Sequence, residues 1–156
     1  MRIGFIGAGK VGFTFGKYIT TKMVVSKPEH IQLEVSGYYS AHSESAADAA
    51  EFTETVMYNS LEELCSNSEV IFLTVPDGQI GEVWRRLKDL DIRGKIICHA
   101  SGAMTSDIFS GITEAGAFGY SIHPMYAISS KYESYKEVDN SFFTVEGDDR
   151  YADRIC

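Results

Sequence analysis

The stretch RIGFIGAGKVGFTFG, residues 2–16, places a glycine-rich turn directly after a short apolar run. The run RIGFI (2–6) is typical of a strand, and the residues from Lys10 to about Met23 are predicted to form a helix. The stretch therefore predicts how the chain begins, with a strand, a tight turn and a helix.

The turn itself is a complete G-x-G-x-x-G pattern. Gly7 permits a tight turn, Gly9 lets a pyrophosphate approach the backbone without meeting a Cβ atom, and Gly12 allows the helix to pack closely on the strand. Amides at the start of the helix favour phosphate groups. A strand before the motif and a helix after it give the context of a dinucleotide fingerprint, while the alternative is a turn that only joins two elements. The predicted cofactor-binding residues of the turn are Gly7, Ala8, Gly9, Lys10, Val11 and Gly12.

The composition excludes several classes of protein. The 156 residues carry 14 basic and 22 acidic side chains, a net charge of −8, which argues against a nucleic-acid-binding surface. No apolar run approaches the roughly 20 residues that cross a bilayer, so no membrane partner is expected and the cytoplasm is the expected location. The three cysteines, Cys65, Cys98 and Cys156, are widely spaced and are interpreted as reduced thiols.

Short apolar runs alternate with amphipathic stretches along the chain. This alternation predicts an α/β fold, a Rossmann-type open and mostly parallel sheet with helices on both faces. After the first unit, the predicted strands are 31–40, 54–58, 69–75, 94–100, 117–124 and 141–147. The predicted helices are 43–52, 60–65, 80–87 and one that follows Gly102, with a turn or loop at 26–30. The predicted helix caps are Ser43, Ser60 together with Glu63, Asp77, and Thr105 or Ser106.

Ligands of such sheets lie beyond the carboxyl ends of the strands, so the loops there are expected to meet in one crevice. These loops are 7–12, 40–43, 75–79 and 100–105.

The end of the second strand decides which dinucleotide fits. A free ribose 2′-hydroxyl needs an acidic residue there, whereas a 2′-phosphate needs hydroxyls and cations. Glu34 is the only acid in the strand and is expected in its middle. The strand ends instead on Ser40, His42 and Ser43, which favours NADP over NAD.

The stretch TVPDGQI (74–80) closes the most apolar strand. Val75 and Pro76 are predicted to form an apolar shelf for the ribose next to adenine, and Asp77 begins the next helix. The alternative is a strand-to-helix turn without a ligand.

Two later motifs carry candidate catalytic residues. CHASGAMTSD (98–107) places Ser101 after a buried strand, where a hydroxyl can polarise a carbonyl or imine. SIHPMYAI (121–128) contains His123, a candidate general acid or, alternatively, a structural histidine. The histidines and Cys98 lack metal-ligand spacing, so no metal is expected. A hydrolase built on Ser101 lacks its G-x-S-x-G elbow.

Taken in order, GFIGAGKVG, GYYSAHSESA, VIFLTVPDGQI, HASGA and SIHPM resemble one family over residues 2 to about 147. These are Rossmann-like oxidoreductases with a C-terminal helical domain of unknown function, relatives of pyrroline-5-carboxylate reductase and of deazaflavin-dependent NADP oxidoreductases. The HASGA and SIHP pair is more specific than the glycine turn.

The resemblance implies a nicotinamide cofactor held by three segments, with Ser101 and His123 at its reactive end. The segments are Gly7–Gly12, Ser40–Ser43 and Val75–Asp77. His42 stands where the family commonly has an arginine for the 2′-phosphate. The relatives continue into a helical domain that completes the substrate pocket and the homodimer, so residues 1–147 are expected to be the cofactor domain and 148–156 the start of a missing helical domain.

Three functions remain open from the sequence. The first is an NADP-dependent oxidoreductase that transfers a hydride to or from a small carbonyl or imine substrate. The second is a non-catalytic nucleotide-binding module that senses the cofactor or docks a partner. The third, a methyl-donor-binding domain, usually has an acid at the end of the second strand, and Ser40 argues against it.

Overall fold

The structure, a computed structural model, describes residues 1–23 and 32–151. The turn predicted at 26–30 lies outside the described residues, as do Cys156 and the rest of 152–156, the end of the segment expected to begin a helical domain. Within the described ranges, no helix is long and apolar enough to span a lipid bilayer.

One six-stranded sheet forms the centre of the molecule, in the order β2-β1-β3-β4-β5-β6. The first five strands in this order run parallel, and β6 runs antiparallel to β5. The predicted Rossmann-type, mostly parallel α/β sheet is therefore confirmed. The strands are β1 Arg2–Ile6, β2 Glu34–Tyr39, β3 Val70–Leu73, β4 Ile96–His99, β5 Phe118–Pro124 and β6 Phe143–Gly147.

Helices cover both faces of the sheet because the apolar side chains divide into two clusters. One cluster combines side chains of α1 and α2 with one face of the sheet, and the other combines α3 and α4 with the opposite face. All four residues of β3 and of β4 are buried, as expected for strands covered on both sides. The helices are α1 Lys10–Tyr18, α2 Ser43–Thr53, α3 Leu61–Asn67 and α4 Asp77–Leu87. A π-helical turn spans Ile19–Met23, and 3-10 turns span Ser106–Ile108, Ser134–Asn140 and Asp149–Tyr151.

Two of the predicted elements are wrong. The strand expected at 54–58 is only a single bridge from Met57 to Tyr38, because the chain leaves α2 through a left-handed residue, Glu54 (φ 58°), and touches the edge of β2 briefly. The helix expected after Gly102 is only the 3-10 turn Ser106–Ile108, followed by turns. Glycines with positive φ at 111 and 116 interrupt any longer helix there.

The predicted element boundaries also need correction. The helix from Lys10 is α-helical only to Tyr18 and continues as the π-helical turn. Helix α4 begins at Asp77 rather than Ile80. Glu34 is the first residue of β2 and not in its middle, so its carboxylate lies at the amino end of the strand, away from the crevice.

The helix caps follow the prediction in one case. The Ser60 side chain accepts a hydrogen bond from the Glu63 amide at 3.1 Å, as a capping box requires. Ser43 and Asp77 are not caps, because each is the first helical residue and follows the cap position. Neither Thr105 nor Ser106 caps the short turn with its side chain.

Gly16 marks the tightest contact between α1 and the sheet. A Cβ atom there would overlap the hydroxyl of Tyr38, a fully buried side chain that donates to Gly12 O at 3.1 Å. We expect Gly16→Ala to lower the free energy of unfolding by about 1–3 kcal/mol, measured by urea denaturation. Gly81→Ala is the control, because its Cβ would meet only Ile108 Cδ1 at 3.7 Å. In the middle of α4 it should raise stability by about 0.5–1 kcal/mol. Equal effects of the two changes would contradict this account of the contact.

Buried thiols and phenols make the fold sensitive to alkaline pH. Burial raises the pKa of the Cys65 thiol from 9.0 to about 11, and it raises the pKa of the Cys98 thiol further. Between the ordinary and the raised pKa of Cys65, the unfolded chain releases a proton that the folded chain retains. The free energy of unfolding should therefore fall as pH rises from about 9 to 11. Urea denaturation at a series of pH values measures this fall, which should be shallower in Cys65→Ala. A constant or rising stability over this range would contradict it.

Candidate functional site

The carboxyl ends of the parallel strands lie along one edge of the sheet. Ile6 at the end of β1 pairs with Tyr39 of β2 and with Leu73 of β3, and Leu73 pairs with His99 of β4. The loops at 7–12, 40–43, 75–79 and 100–105 each follow one of these ends. The structure therefore brings the predicted loops to a common edge.

The glycine turn packs against the end of β3 at two positions. Gly7 has φ +101°, and a Cβ atom there would lie 2.8 Å from the Thr74 backbone. A Cβ atom at Gly12 would lie 2.7 Å from Gly7 O and 2.8 Å from Thr74 Oγ1. Thr74 Oγ1 in turn donates to Gly7 O at 2.7 Å. A side chain at either glycine would separate α1 from the sheet.

Gly9 is different from the other two glycines. A Cβ atom there would meet only Thr74 O, at 3.8 Å, so the space above this residue is open. The amides from Ala8 to Gly12 donate to no other residue within 1–23 and 32–151. The turn thus combines an open space with amides that have no acceptor among the described residues, which is the arrangement that binds phosphate at a helix N-terminus.

The loop after β2 presents small polar groups. Ser40 Oγ accepts a hydrogen bond from the His42 amide at 3.2 Å, and His42 and Ser43 are exposed. Glu44, which the sequence argument left out, is also exposed, in the first turn of α2. An acidic group therefore stands beside the serines of this loop.

The loop after β3 and the start of α1 complete the wall near the turn. Val75 is partly buried, with Cγ1 2.9 Å from the position of a Cβ atom at Gly7. Pro76 and Asp77 are exposed at the start of α4, and Lys10 is exposed at the start of α1. The ammonium group of Lys10 makes no ion pair with another described residue.

His99 organises the loop that carries Ser101. Its side chain is fully buried, Nδ1 accepts from the Ser101 amide at 3.2 Å, and Nε2 lies 3.2 Å from Thr105 O. Because a carbonyl only accepts, the proton of the neutral ring is on Nε2. The imidazole therefore closes the loop from residue 99 to 105. The sequence alone does not reveal this role, because the two hydrogen bonds exist only in the folded loop.

Ser101 and His123 are brought together across the ends of β4 and β5. The His123 ring is half-buried, and Nδ1 donates to Ala100 O at 3.1 Å. Nε2 is therefore the other ring nitrogen that can carry an exchangeable proton. The ring lies over Gly102, where a Cβ atom would be 2.6 Å from both Nε2 and Cε1. Ser101 is buried, and its Oγ accepts from the Ala103 amide at 3.1 Å, which leaves the hydroxyl proton available to a ligand.

The geometry agrees with comparison to known proteins. The family model of the Rossmann-like domain matches residues 1–124. The chain belongs to this family. No curated protein matches the chain.

Three solved structures share the fold of this Rossmann-like domain. A protein described as an NADP oxidoreductase, from Bacteroides fragilis, is 18% identical, with a TM-score of 0.77 over 99% of this chain and 54% of its own. A 3-hydroxyisobutyrate dehydrogenase from Mycobacterium tuberculosis is 17% identical, with a TM-score of 0.69 over 98% and 48%. An imine reductase from Bacillus cereus is 14% identical, with a TM-score of 0.63 over 82% and 42%.

The chain spans about half the length of these structures. At such identities the likeness establishes the fold. It confirms the predicted resemblance to the N-terminal domain of Rossmann-like oxidoreductases at that level. The narrower likeness to pyrroline-5-carboxylate reductase stays a prediction.

Two buried hydroxyls in this Rossmann-like domain, Thr14 Oγ1 and Tyr126 Oη, have no hydrogen-bond partner among the described residues. Burial raises the pKa of Tyr126 to about 12, and the charge of Glu137 adds to the rise. A phenol with this pKa stays protonated at neutral pH and acts as a donor. Tyr126 lies in the motif that contains His123, but the sequence alone gives no sign that its hydroxyl is unpartnered.

Two surface cavities lie at the opposite, amino-terminal edge of the sheet. Their volumes are about 400 Å³ and 330 Å³, and neither includes a residue of the glycine turn. They are lined by 88–93 with 114–116, and by 17, 19–21, 32–35 and 53–55. No group of three or more His, Cys, Asp or Glu side chains suited to a metal ion occurs in the part of the chain that the structure describes.

The role of His99 as the organiser of its loop is testable. We expect His99→Phe to lower the free energy of unfolding by about 1–3 kcal/mol, because the Ser101 amide and Thr105 carbonyl lose their partners. Hydrogen exchange of the Ser101 amide should also become faster. The control is His42→Phe at an exposed position, which should stay within about 0.5 kcal/mol. Unchanged exchange in His99→Phe would show that the imidazole does not hold the loop.

Proposed function

We propose that this Rossmann-like domain binds NADP and forms the cofactor part of an oxidoreductase that acts on a small carbonyl or imine compound. The observation that carries the proposal is the open space at Gly9, together with the amides from Ala8 to Gly12, which have no acceptor among the described residues. A diphosphate bridge fits this arrangement, since it needs close approach to the backbone and several N–H donors. When bound, the nicotinamide ring supplies or accepts the hydride.

The loop after β2 favours NADP over NAD. Ser40 and Ser43 offer hydroxyls, and the exposed ring of His42 offers an N–H donor. Lys10 offers a further unpaired ammonium group near the turn. Glu44 opposes this preference, because a carboxylate suits a free ribose 2′-hydroxyl and repels a phosphate. Four donor side chains against one acid favour the phosphorylated cofactor.

The reactive end is assigned to the segment from Ala100 to Gly102 and to His123. The Ser101 hydroxyl can donate a hydrogen bond to a carbonyl oxygen or imine nitrogen, which polarises the double bond. His123 is held by its bond to Ala100 O, so Nε2 is the atom at which a proton is exchanged with the product. The segment 100–102 and position 123 contain no Asp, Glu, Lys or Arg side chain, which suits an uncharged, small-molecule substrate.

Gly9→Ala tests the proposed phosphate site. The added methyl group occupies the open space without meeting the protein, so the fold should remain intact while the affinity for NADPH falls about tenfold or more. Isothermal titration of the wild type and the variant with NADPH and NADH gives both affinities. Gly81→Ala on α4 is the matched control and should bind as the wild type does.

The outcomes separate the parts of the proposal. Equal NADPH affinity in Gly9→Ala and the wild type would overturn the phosphate site. Tighter binding of NADH than of NADPH would overturn the cofactor preference and point to Glu44. Binding of NADPH without oxidation by any of a panel of small aldehydes, ketones and imines would favour a non-catalytic nucleotide-binding module.

A further inference from the structure

The chain treats the two edges of its sheet differently. At one edge, the Tyr38 amide of β2 donates to Val56 O at 2.9 Å, and the Tyr58 amide donates to Tyr38 O at 2.8 Å. The segment 56–58 thus covers the edge of β2 at Tyr38. At the other edge, β6 pairs with β5 and with no other strand among the described residues. An uncovered edge strand presents N–H and C=O groups that are ready to pair with a further strand.

Large apolar side chains are exposed at the uncovered edge. Phe142 is 81% exposed and Met125 is 59% exposed, whereas Phe143 and Val145 are 38% and 37% exposed. Edge strands are usually protected by lysine, proline or inward-pointing charges. The only charged residue of β6 is Glu146, and its carboxylate is held by Ser106, whose amide and hydroxyl donate to it at 2.8 and 2.6 Å. The edge is therefore open, apolar and without a free charge of its own.

We propose that β6 pairs with β6 of a second copy of this chain, antiparallel about a twofold axis at Thr144, so that the two sheets become one. The charge distribution favours a second copy over other partners. The chain carries a net charge of −8, so two copies repel each other over most of their surface. Along β6 the surface is neutral, so two copies can approach there without like charges facing each other. A basic partner would find no free acidic group on this strand.

The register of the pairing follows from the backbone groups that β5 already uses. The Met125 amide donates to Phe142 O at 2.8 Å, so Phe142 and, by alternation, Thr144 direct their backbone groups towards β5. Phe143 and Val145 direct theirs outwards. Two antiparallel copies therefore hydrogen-bond Phe143 of each copy to Val145 of the other, which places the axis at Thr144.

The side chains are self-complementary in this register. Phe143 of one copy lies beside Val145 of the second, and symmetry repeats the contact. An aromatic side chain opposite a β-branched one is a favourable cross-strand pair. The Phe143 ring already packs on Phe15, with ring centroids 5.8 Å apart, so little side-chain freedom is lost when the second copy arrives.

The pairing also positions the candidate sites, although it does not depend on their proposed function. His123 lies directly opposite Thr144 in the β5–β6 ladder. Across the axis, the two His123 residues are separated by three strand spacings, about 14 Å at roughly 4.8 Å each. Because β6 is antiparallel both to β5 and to the second β6, the parallel strands of the two copies run in opposite directions, and the two crevices open towards opposite edges of the continuous sheet.

Disulfide cross-linking tests the proposed axis. In a Cys156→Ser background, Thr144→Cys should give a covalent dimer under mild oxidation, because facing residues of a non-hydrogen-bonded pair bring their Cβ atoms to within about 4.5–5.5 Å. Cys65 and Cys98 are buried and do not compete. Ser66→Cys, at an exposed position on α3, is the control and should remain unlinked. Equal cross-linking of the two variants would overturn the register.

Sedimentation over a range of concentrations tests the dimer without cross-linking. The wild type should form dimers, and Val145→Lys should weaken the association about tenfold or more, because it places an ammonium group on the shared edge. Val56→Lys is the matched control on the covered edge, where the side chain is 51% exposed, and it should dimerise as the wild type does. A wild type that stays monomeric, or a dimer that Val145→Lys leaves unchanged, would overturn the proposal and leave β6 to another occupant.

Discussion

The close approach of α1 to β1 and β3 is the constraint on which the rest of the molecule depends. Gly7 and Gly12 meet the backbone and hydroxyl of Thr74 at distances that leave no room for a Cβ atom. The turn can be this tight only because both positions lack side chains. As a result, the first helix starts at the carboxyl edge of the sheet with its amides unpaired, and the crevice has a positive partial charge at its centre.

The sequence was sufficient to predict the strands and helices that depend on local patterns. The glycine turn, the buried run of β3 and the capping box at Ser60 are set by residues close together in the chain, so single-sequence reasoning identifies them. Single-sequence reasoning was wrong where tertiary contacts decide the conformation of the chain. The stretch 54–58 has the composition of a strand but forms only a single bridge to the edge of β2. The chain after Gly102 forms turns because later glycines adopt positive φ.

The same division applies to the candidate site. Residues that follow a strand end, such as Ser101, are predictable because the ends of parallel strands share an edge. The hydrogen-bond partners of those residues cannot be predicted from the sequence. His99 closes the loop through two hydrogen bonds, and the buried hydroxyl of Tyr126 has no partner among the residues that the structure describes. Both facts require the folded chain. Glu44 could have been identified from the sequence, because it directly follows Ser43 in the loop after β2.

The bonds from Glu146 to Ser106 have a mechanical consequence. They attach the outermost strand to a residue that directly follows Thr105, whose carbonyl holds the imidazole of His99. The rim of the sheet and the wall behind Ser101 are thus coupled over a very short path. A displacement of β6 therefore reaches the loop behind Ser101 through this carboxylate as well as through the β5–β6 ladder, so the shape of the crevice is coupled to the position of the outermost strand.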